Sequence, residues 1–306
     1  MASTAGTQAG EKTTSGVPLL LAPAKINLTL EVLSRRSDGF HGIRSVMVPV
    51  GLFDRITIEP EDAPSLWCDD ARLQERNIVS RALWALESTP ANVRIEKRIP
   101  VGGGLGGGSS DAATVLRAAM RGEIGCAVRD ADWLGIARGL GSDVPFFLAG
   151  TGALVEGTGE RITPLGTMPA WWCIIAEPHI ELSTAEIYRL LDDHRESAPA
   201  PTRARSESRS LRCATALQSG DFDAVCRTLS NDFHDIVLEA YPAVASARRA
   251  LTKSGAAEVV LCGSGSCLFA LFESEEAARR ALERIRDPSI RASYLAPFHA
   301  EPEWRK

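Results

Sequence analysis

No apolar run in this chain approaches the roughly 18–20 residues that a membrane-spanning helix needs, so a membrane protein is not expected. The longest run near the start, residues 17–24, is short and is followed at once by Lys25. It lacks the charged opening of a secretory signal, and no arginine precedes Arg35, which fits a transit peptide poorly. A cytoplasmic protein is expected. Cysteine is present without pattern: the seven residues Cys68, Cys126, Cys173, Cys213, Cys226, Cys262 and Cys267 form no CxxC pair and no zinc-like spacing. Their apolar neighbourhoods, such as Trp171-Trp172-Cys173, point to reduced, buried thiols. Five histidines at no repeated spacing offer no metal cluster. Basic charge is also short: 34 Lys and Arg against 39 Asp and Glu leave a net charge of −5, which argues against a nucleic-acid partner.

What is present is an ordinary globular balance, 306 residues with 44% hydrophobic and 24% charged, long enough for one large or two medium domains. Residues 1–16 are small and polar and read as a disordered tail. From residue 17 the texture turns to short alternating runs at 25–32, 45–50 and 55–58, which read as strands separated by turn signals at 37–39 and 59–64. Ile78, Val79, Ala82, Leu83 and Leu86 fall at helical spacing. Residues 92–100 alternate again, and helices are expected near 110–120 and 131–140. A Pro/Gly stretch at 165–170 marks a boundary, giving units over 17–166 and 167–306. In the second unit, an apolar run opens at 171–176, and residues 195–210, rich in Arg, Ser, Ala and Pro, read as a solvated loop. Helices near 223–229 and 244–253, strands at 258–261 and 268–272, and a Glu/Arg-rich helix at 274–286 complete it. Helices and strands mix without strict βαβ alternation, which suggests two α+β units.

The loudest signal is PVGGGLGGGSSDAA, residues 100–113, with six glycines in seven positions immediately before an Ala-rich helix. Glycine lets a ligand approach the backbone closely, and the helix turns its unpaired N–H groups and positive dipole end toward the loop. Together these make a cradle for a nucleotide phosphate. No lysine follows any of the glycines, which rules out GxxxxGK[ST]. A dinucleotide fingerprint matches at Gly102, Gly104 and Gly107, with Asp130 or Asp132 as a ribose acid. The strand before it argues otherwise: Val93, Ile95 and Ile99 share one face while Arg94, Glu96 and Arg98 share the other, as in a half-exposed antiparallel strand rather than a buried parallel one.

Three blocks then carry a family resemblance: APAKINLTLEVLSRRSDGFHGIRSVM at 22–47, KRIPVGGGLGGGSSDAA at 97–113 and GSDVPFF at 141–147, with a weaker CGSGSC at 262–267. In this order they resemble the GHMP kinase superfamily, and the PAKINL and DGFH blocks resemble its branch acting on 4-diphosphocytidyl-2-C-methyl-D-erythritol. The resemblance implies a two-domain α+β fold. The N-terminal domain would be ribosomal-protein-S5-domain-2-like and the C-terminal one a ferredoxin-like α/β sandwich, with ATP and substrate in the cleft between them. It implies transfer of the ATP γ-phosphoryl group to the substrate 2-hydroxyl, a step of non-mevalonate isoprenoid synthesis, with Mg2+ accompanying ATP. The partner would be a small molecule carrying a cytidine diphosphate group, and the chain a monomer or weak homodimer.

By the same resemblance, Asp143 is the catalytic base and Lys25 the cation that pairs with it. An ordinary aspartate is a weak base, so orienting the hydroxyl matters as much as taking its proton. Pro100, Val101, Gly102, Gly103, Gly104, Leu105, Gly106, Gly107, Gly108, Ser109 and Ser110 form the ATP loop, with Asn77 and Lys97 at adenosine-contacting positions. Ser109 or Ser110 is a candidate magnesium ligand. Asn27 falls near the reacting hydroxyl, Phe40 and His41 match the pair that holds cytosine, and Tyr188 and Thr184 line the same pocket. Phe40 stands where the family usually has Tyr, which keeps the stacking face and loses a phenol hydrogen bond. The alternatives are a GHMP kinase for homoserine, mevalonate or a sugar, which should lack the DGFH block, and a non-catalytic nucleotide-binding protein, which should have lost Asp143 or Lys25.

Overall fold

The computed structural model describes residues 19–75, 77–128, 132–197 and 208–298. The tail at 1–16, Asp130, Ala131 and the middle of the 195–210 segment lie outside the described residues.

The chain opens with two long strands, β1 (Leu19–Arg35) and β2 (His41–Pro60), followed by β3 (Ser65–Cys68), helix α1 (Ile78–Ala85) and β4 (Ala91–Glu96). Next come α2 (Gly107–Met120), α3 (Trp133–Leu140), α4 (Val144–Ala149), β5 (Ala153–Gly157) and β6 (Arg161–Pro164). The second part runs β7 (Trp172–Pro178), α5 (Thr184–Ser197), α6 (Arg209–Ser219), α7 (Phe222–Thr228), β8 (Ser230–Asn231), α8 (His234–Ala240) and α9 (Pro242–Lys253). It ends with β9 (Val259–Leu261), β10 (Leu268–Phe272), α10 (Glu275–Glu283) and β11 (Ile290–Pro297).

Two sheets result. The first has the order β3-β4-β2-β1-β8, with β5 paired to β2 and β6 to β5; the second has the order β11-β7-β10-β9. The runs at 45–50 and 55–58 are one strand, β2. Register shifts where Pro23 faces Phe53 but Ala24 faces Val50, so Gly51 and Leu52 form a bulge that bends the strand without ending it. A Cβ on Gly51 would sit 2.7 Å from the Pro297 ring, so this bulge is also where β11 of the second sheet closes on the first.

Alternation decides which face is buried where. Ala24, Ile26, Leu28, Val46, Val48 and Val50 of the first sheet form one core with Cys173, Ile175, Val260, Phe269 and Leu271 of the second, and with Cys213, Leu217 and Val225 of α6 and α7. The opposite faces carry a second set, in which Ile56, Val93 and Ile95 meet Ala112, Val115 and Leu116 of α2. β4 pairs antiparallel with β2 and parallel with β3, and it alternates buried Val93 and Ile95 with exposed Arg94 and Glu96, so one of its faces is open. A dinucleotide fold would place its glycine loop after a parallel strand buried on both faces. The dehydrogenase alternative therefore fails here.

Several expected boundaries move. The strand expected over 92–100 stops at Glu96, because the Asp54 carboxylate takes the N–H groups of Arg98 (2.6 Å) and Ile99 (2.9 Å) out of the ladder. The loop expected at 195–210 is partly helical: α5 runs through Ser197, and α6 begins at Arg209, capped by Ser208. Between them, residues 198–207 are not described. Five cysteines are buried as free thiols, while Cys126 and Cys226 are half-buried.

Strand β6 of the first sheet and β7, the first of the second, flank the 165–170 stretch. The chain then returns: α6 and α7 pack against β1, and β8 pairs parallel with it at Thr29–Ser230 and Leu30–Asn231.

Candidate active site

One cleft of about 1320 Å³ collects most of the candidate residues. Ligand pockets usually span about 300–1,000 Å³, so this one has room for two bound molecules side by side. Its wall contains Lys25, Asn27, Phe40, His41, Lys97, Asp143, Thr184 and Tyr188, together with the whole run from Pro100 to Ser109. Asn77 and Ser110 do not reach it. Asn77 is the cap of α1, its side-chain oxygen accepting from Val79 N at 2.9 Å, and Ser110 is turned into the fold, fully buried.

Lys25 sits on β1 with 4% exposure, its backbone N–H donating to Leu105 O at 3.0 Å. Its ammonium lies 3.5 Å from Asp143 Oδ2 and donates to Asn27 Oδ1 at 2.7 Å. Asp143 occupies the cap position of α4 but makes no capping bond, and a proline stands in the first turn of that helix. Its carboxylate is therefore not drawn back onto the backbone and faces Lys25.

The glycine loop owes its composition to a few positions. Gly102, Gly104 and Gly106 have φ of +70°, +76° and +73°, a region costly for residues with a Cβ. Gly106 is also the cap of α2, and Ser110 N donates to Gly106 O at 2.9 Å. The N–H groups of Gly107, Gly108 and Ser109 thus precede the first intrahelical bond and are left for a ligand. A Cβ on Gly104 would fall 1.9 Å from Cys262 O, and Cys267 N donates to Gly103 O at 3.2 Å. The CGSGSC turn therefore packs backbone to backbone against the loop, and its Gly263 and Ser264 line the cleft.

Beneath the loop lies a buried charge cluster. Lys97 Nζ contacts Asp54 Oδ2 and sits 2.7 Å from Asp111 Oδ2. Burial opposes the Lys97 charge, but the Asp111 and Asp54 carboxylates together raise its pKa above the ordinary lysine value. Asp111 is pushed up to about 7, first by burial, against the pull of Lys97 and with the push of Asp54. Its Oδ1 has no hydrogen-bond partner among the described residues. The Lys97 ammonium is thus already occupied by two carboxylates, and the residue forms part of the cleft wall.

The aromatic wall divides into a waiting and an occupied half. Phe40 is 68% exposed at the rim, on a turn where Asp38 Oδ1 accepts from Phe40 N at 3.1 Å. His41 is engaged at both ring nitrogens and on one ring face. Its Nδ1 is 3.0 Å from Leu33 O, its Nε2 is 3.1 Å from Asp192, and its ring stacks on Tyr188 with centroids 5.4 Å apart. Tyr188 also meets Phe233 edge-on at 4.8 Å, and burial, with the Asp143 charge, lifts its hydroxyl to about 12. No base fits between His41 and Tyr188; the open stacking face is Phe40. Thr184 ties α5 to the CGSGSC turn through Ser264 at 2.8 Å. Asp54, Asp111 and Asp192 were not found from the sequence. Asp111 stands inside the quoted SSDAA block, but no spacing pairs any of them with Lys97 or His41.

The model of the GHMP kinases N terminal domain matches residues 77–151, and that of the GHMP kinases C terminal region matches residues 213–290. A crystal structure of 4-(cytidine 5'-diphospho)-2C-methyl-D-erythritol kinase superposes with a TM-score of 0.73 at 33% identity, covering 91% of this chain and 98% of that one. Mevalonate kinase from L. major, at 15% identity and a TM-score of 0.65 over 94% of this chain, shares the fold. The class is therefore plain: a phosphoryl-transfer fold of the GHMP kinases, with its glycine loop and its Lys–Asp pair in one cleft. A 4-diphosphocytidyl-2-C-methyl-D-erythritol kinase from Symbiobacterium thermophilum is 40% identical over 272 residues, 86% of this chain and 93% of its own. Within the GHMP kinases, this chain belongs to the family of 4-diphosphocytidyl-2-C-methyl-D-erythritol kinases.

Proposed function

We propose that the chain transfers the γ-phosphoryl group of ATP to the 2-hydroxyl of 4-diphosphocytidyl-2-C-methyl-D-erythritol. The observation that carries this reading is the Lys25–Asp143 pair at 3.5 Å in the same cleft as the glycine loop. Phosphoryl transfer asks for positioning, charge neutralisation and a proton acceptor rather than covalent chemistry from the protein. The N–H groups at the start of α2 hold the phosphates, Asp143 orients the acceptor hydroxyl and takes its proton, and Lys25 balances the charge that develops. The side chain of Asn27 keeps the Lys25 ammonium in place beside the reacting hydroxyl.

Among the described residues no group of three or more His, Cys, Asp or Glu side chains is placed to hold a metal ion. Ser109 is the hydroxyl that would face magnesium arriving with ATP, and the metal would offset the phosphate charge there. The exposed ring of Phe40 supplies the stacking face for cytosine. This exposed aromatic favours the cytidyl substrate over homoserine, mevalonate or galactose.

The test is ADP release from Mg-ATP with each of these four acceptors. Turnover with the cytidyl substrate alone supports the assignment. Release with another acceptor would keep the loop and Asp143 but remove the role of Phe40, and silence with all four, despite ATP binding, would leave a non-catalytic nucleotide binder.

A further inference from the structure

An asparagine amide presents an acceptor on one side and a donor on the other, and only one orientation of Asn27 serves Lys25. The ammonium can only donate, so Oδ1 must face it; the flipped amide would set an NH2 group against a cation. Lys25 sets this choice from one side of the amide.

Ser45, on β2, sets it from the other. Asn27 Nδ2 donates to Ser45 Oγ at 2.8 Å, and Ser45 Oγ donates to the carbonyl oxygen of Thr29 at 2.6 Å. A carbonyl only accepts, so the single Ser45 hydroxyl proton is directed at Thr29 and the hydroxyl oxygen is left to accept. An accepting oxygen selects the NH2 side of Asn27 and turns Oδ1 toward Lys25. The Thr29 hydroxyl does not take over this role: it accepts from Val46 N at 3.0 Å and donates to Ser210 Oγ at 2.9 Å. Lys25, Asn27, Thr29, Ser45 and Ser210 are all buried, with exposures of 4%, 1%, 0%, 0% and 0%, so water does not compete for these bonds.

We propose that Ser45 is a positioning residue for phosphoryl transfer, acting through the Asn27 amide to hold the Lys25 ammonium off the Asp143 carboxylate. The proposal rests on the kinase reading above. Without the Ser45 hydroxyl, Asn27 loses the fixed acceptor that anchors its NH2 side, and its hold on Lys25 slackens. Lys25 is then drawn from its 3.5 Å separation into a close pair with Asp143, occupying the group that must meet the acceptor hydroxyl.

The experiment compares Ser45→Thr with Ser45→Val. The two side chains have the same shape, so any crowding from the added methyl is common to both and only the hydroxyl differs. We expect kcat with the cytidyl substrate about tenfold lower for Val than for Thr, KM for ATP within twofold, and no Thr–Val difference on an Asn27→Ala background. Equal kcat for Thr and Val, or a difference that persists without Asn27, overturns the proposal. Should the methyl unfold both variants, Ser45→Ala against the parent carries the same comparison, with the same outcomes. A parent that releases no ADP overturns the function and this proposal together. An active parent with equal variants overturns the proposal alone.

Discussion

Replacing Asp111 by Asn removes one of two carboxylates that share a single buried ammonium, and the structure sets the size of the effect. Asp111 has 2% exposure, its Oδ2 lies 2.7 Å from Lys97 Nζ, and its Oδ1 has no hydrogen-bond partner among the described residues. Its pKa rises from 3.8 to about 7, burial being the largest cause. In the folded chain the group keeps its proton up to about pH 7, whereas in the unfolded chain it loses it near 4. Between those values the folded state holds one more proton, so this group's contribution to stability declines as pH rises and is lost above 7. At about 1.4 kcal/mol per pH unit, the span of roughly three units converts to at most about 4 kcal/mol. The substituted amide would keep an acceptor for Lys97 but place an NH2 group where Oδ1 lacked a partner, a cost of about 1–3 kcal/mol at every pH. The pH-dependent part is the signature. Urea midpoints followed by tryptophan fluorescence at pH 5, 6, 7 and 8 should show Asp111→Asn gaining on the parent as pH rises, with the gain growing across the window that ends near the folded pKa of about 7 and continuing no further than the unfolded and folded values allow. Parallel pH profiles for the two proteins would refute the buried-surplus-charge argument.

Asp143→Asn should lower kcat by about a thousandfold, the scale of a lost general base, while ATP affinity by calorimetry stays within a few-fold; near-normal turnover would remove the role assigned to Asp143. Tyr188→Ala takes away the ring on which His41 stacks at 5.4 Å, and should raise KM for the cytidyl substrate more than KM for ATP in steady-state assays. Gly104→Ala would drive a Cβ to 1.9 Å from Cys262 O at a φ of +76°, and the loop shift of about 1 Å that relieves this should cost about a hundredfold in kcat/KM for ATP.

The parts of this fold that were legible in the sequence are those where one chemical requirement acts on neighbouring residues. The alternation of Val93, Arg94, Ile95 and Glu96 gave β4 and its half-exposed face, and the glycine run before an Ala-rich segment marked the loop and α2. What escaped was set by partners distant in sequence. Lys97 reads as a strand lysine, but its environment is made by Asp54, 43 residues before it, and Asp111, 14 after it. β2 reads as two strands because the bulge at Gly51 interrupts its pattern, and only the closeness of Pro297 explains the glycine. Helix α5 buries only Ile187 and Leu191, too sparse a stripe to announce itself. Lys25 and Asp143 were paired by the resemblance; no local rule joins β1 to the cap of α4.

The return of the chain to β1 also has a consequence for synthesis. β8 pairs at Thr29 and Leu30, Asp232 accepts from Val32 N at 2.8 Å, and Glu31 takes the N–H groups of Arg209 and Ser210 at the start of α6. These partners emerge from the ribosome about 200 residues after β1, which at roughly 5–20 residues per second is a wait of about 10–40 s. Through that interval the nascent chain carries an unfinished sheet margin, a natural landing place for holdase chaperones or for pairing with another nascent chain. A ribosome-bound chain halted before residue 208 should therefore remain protease-sensitive along β1, however complete the glycine loop behind it.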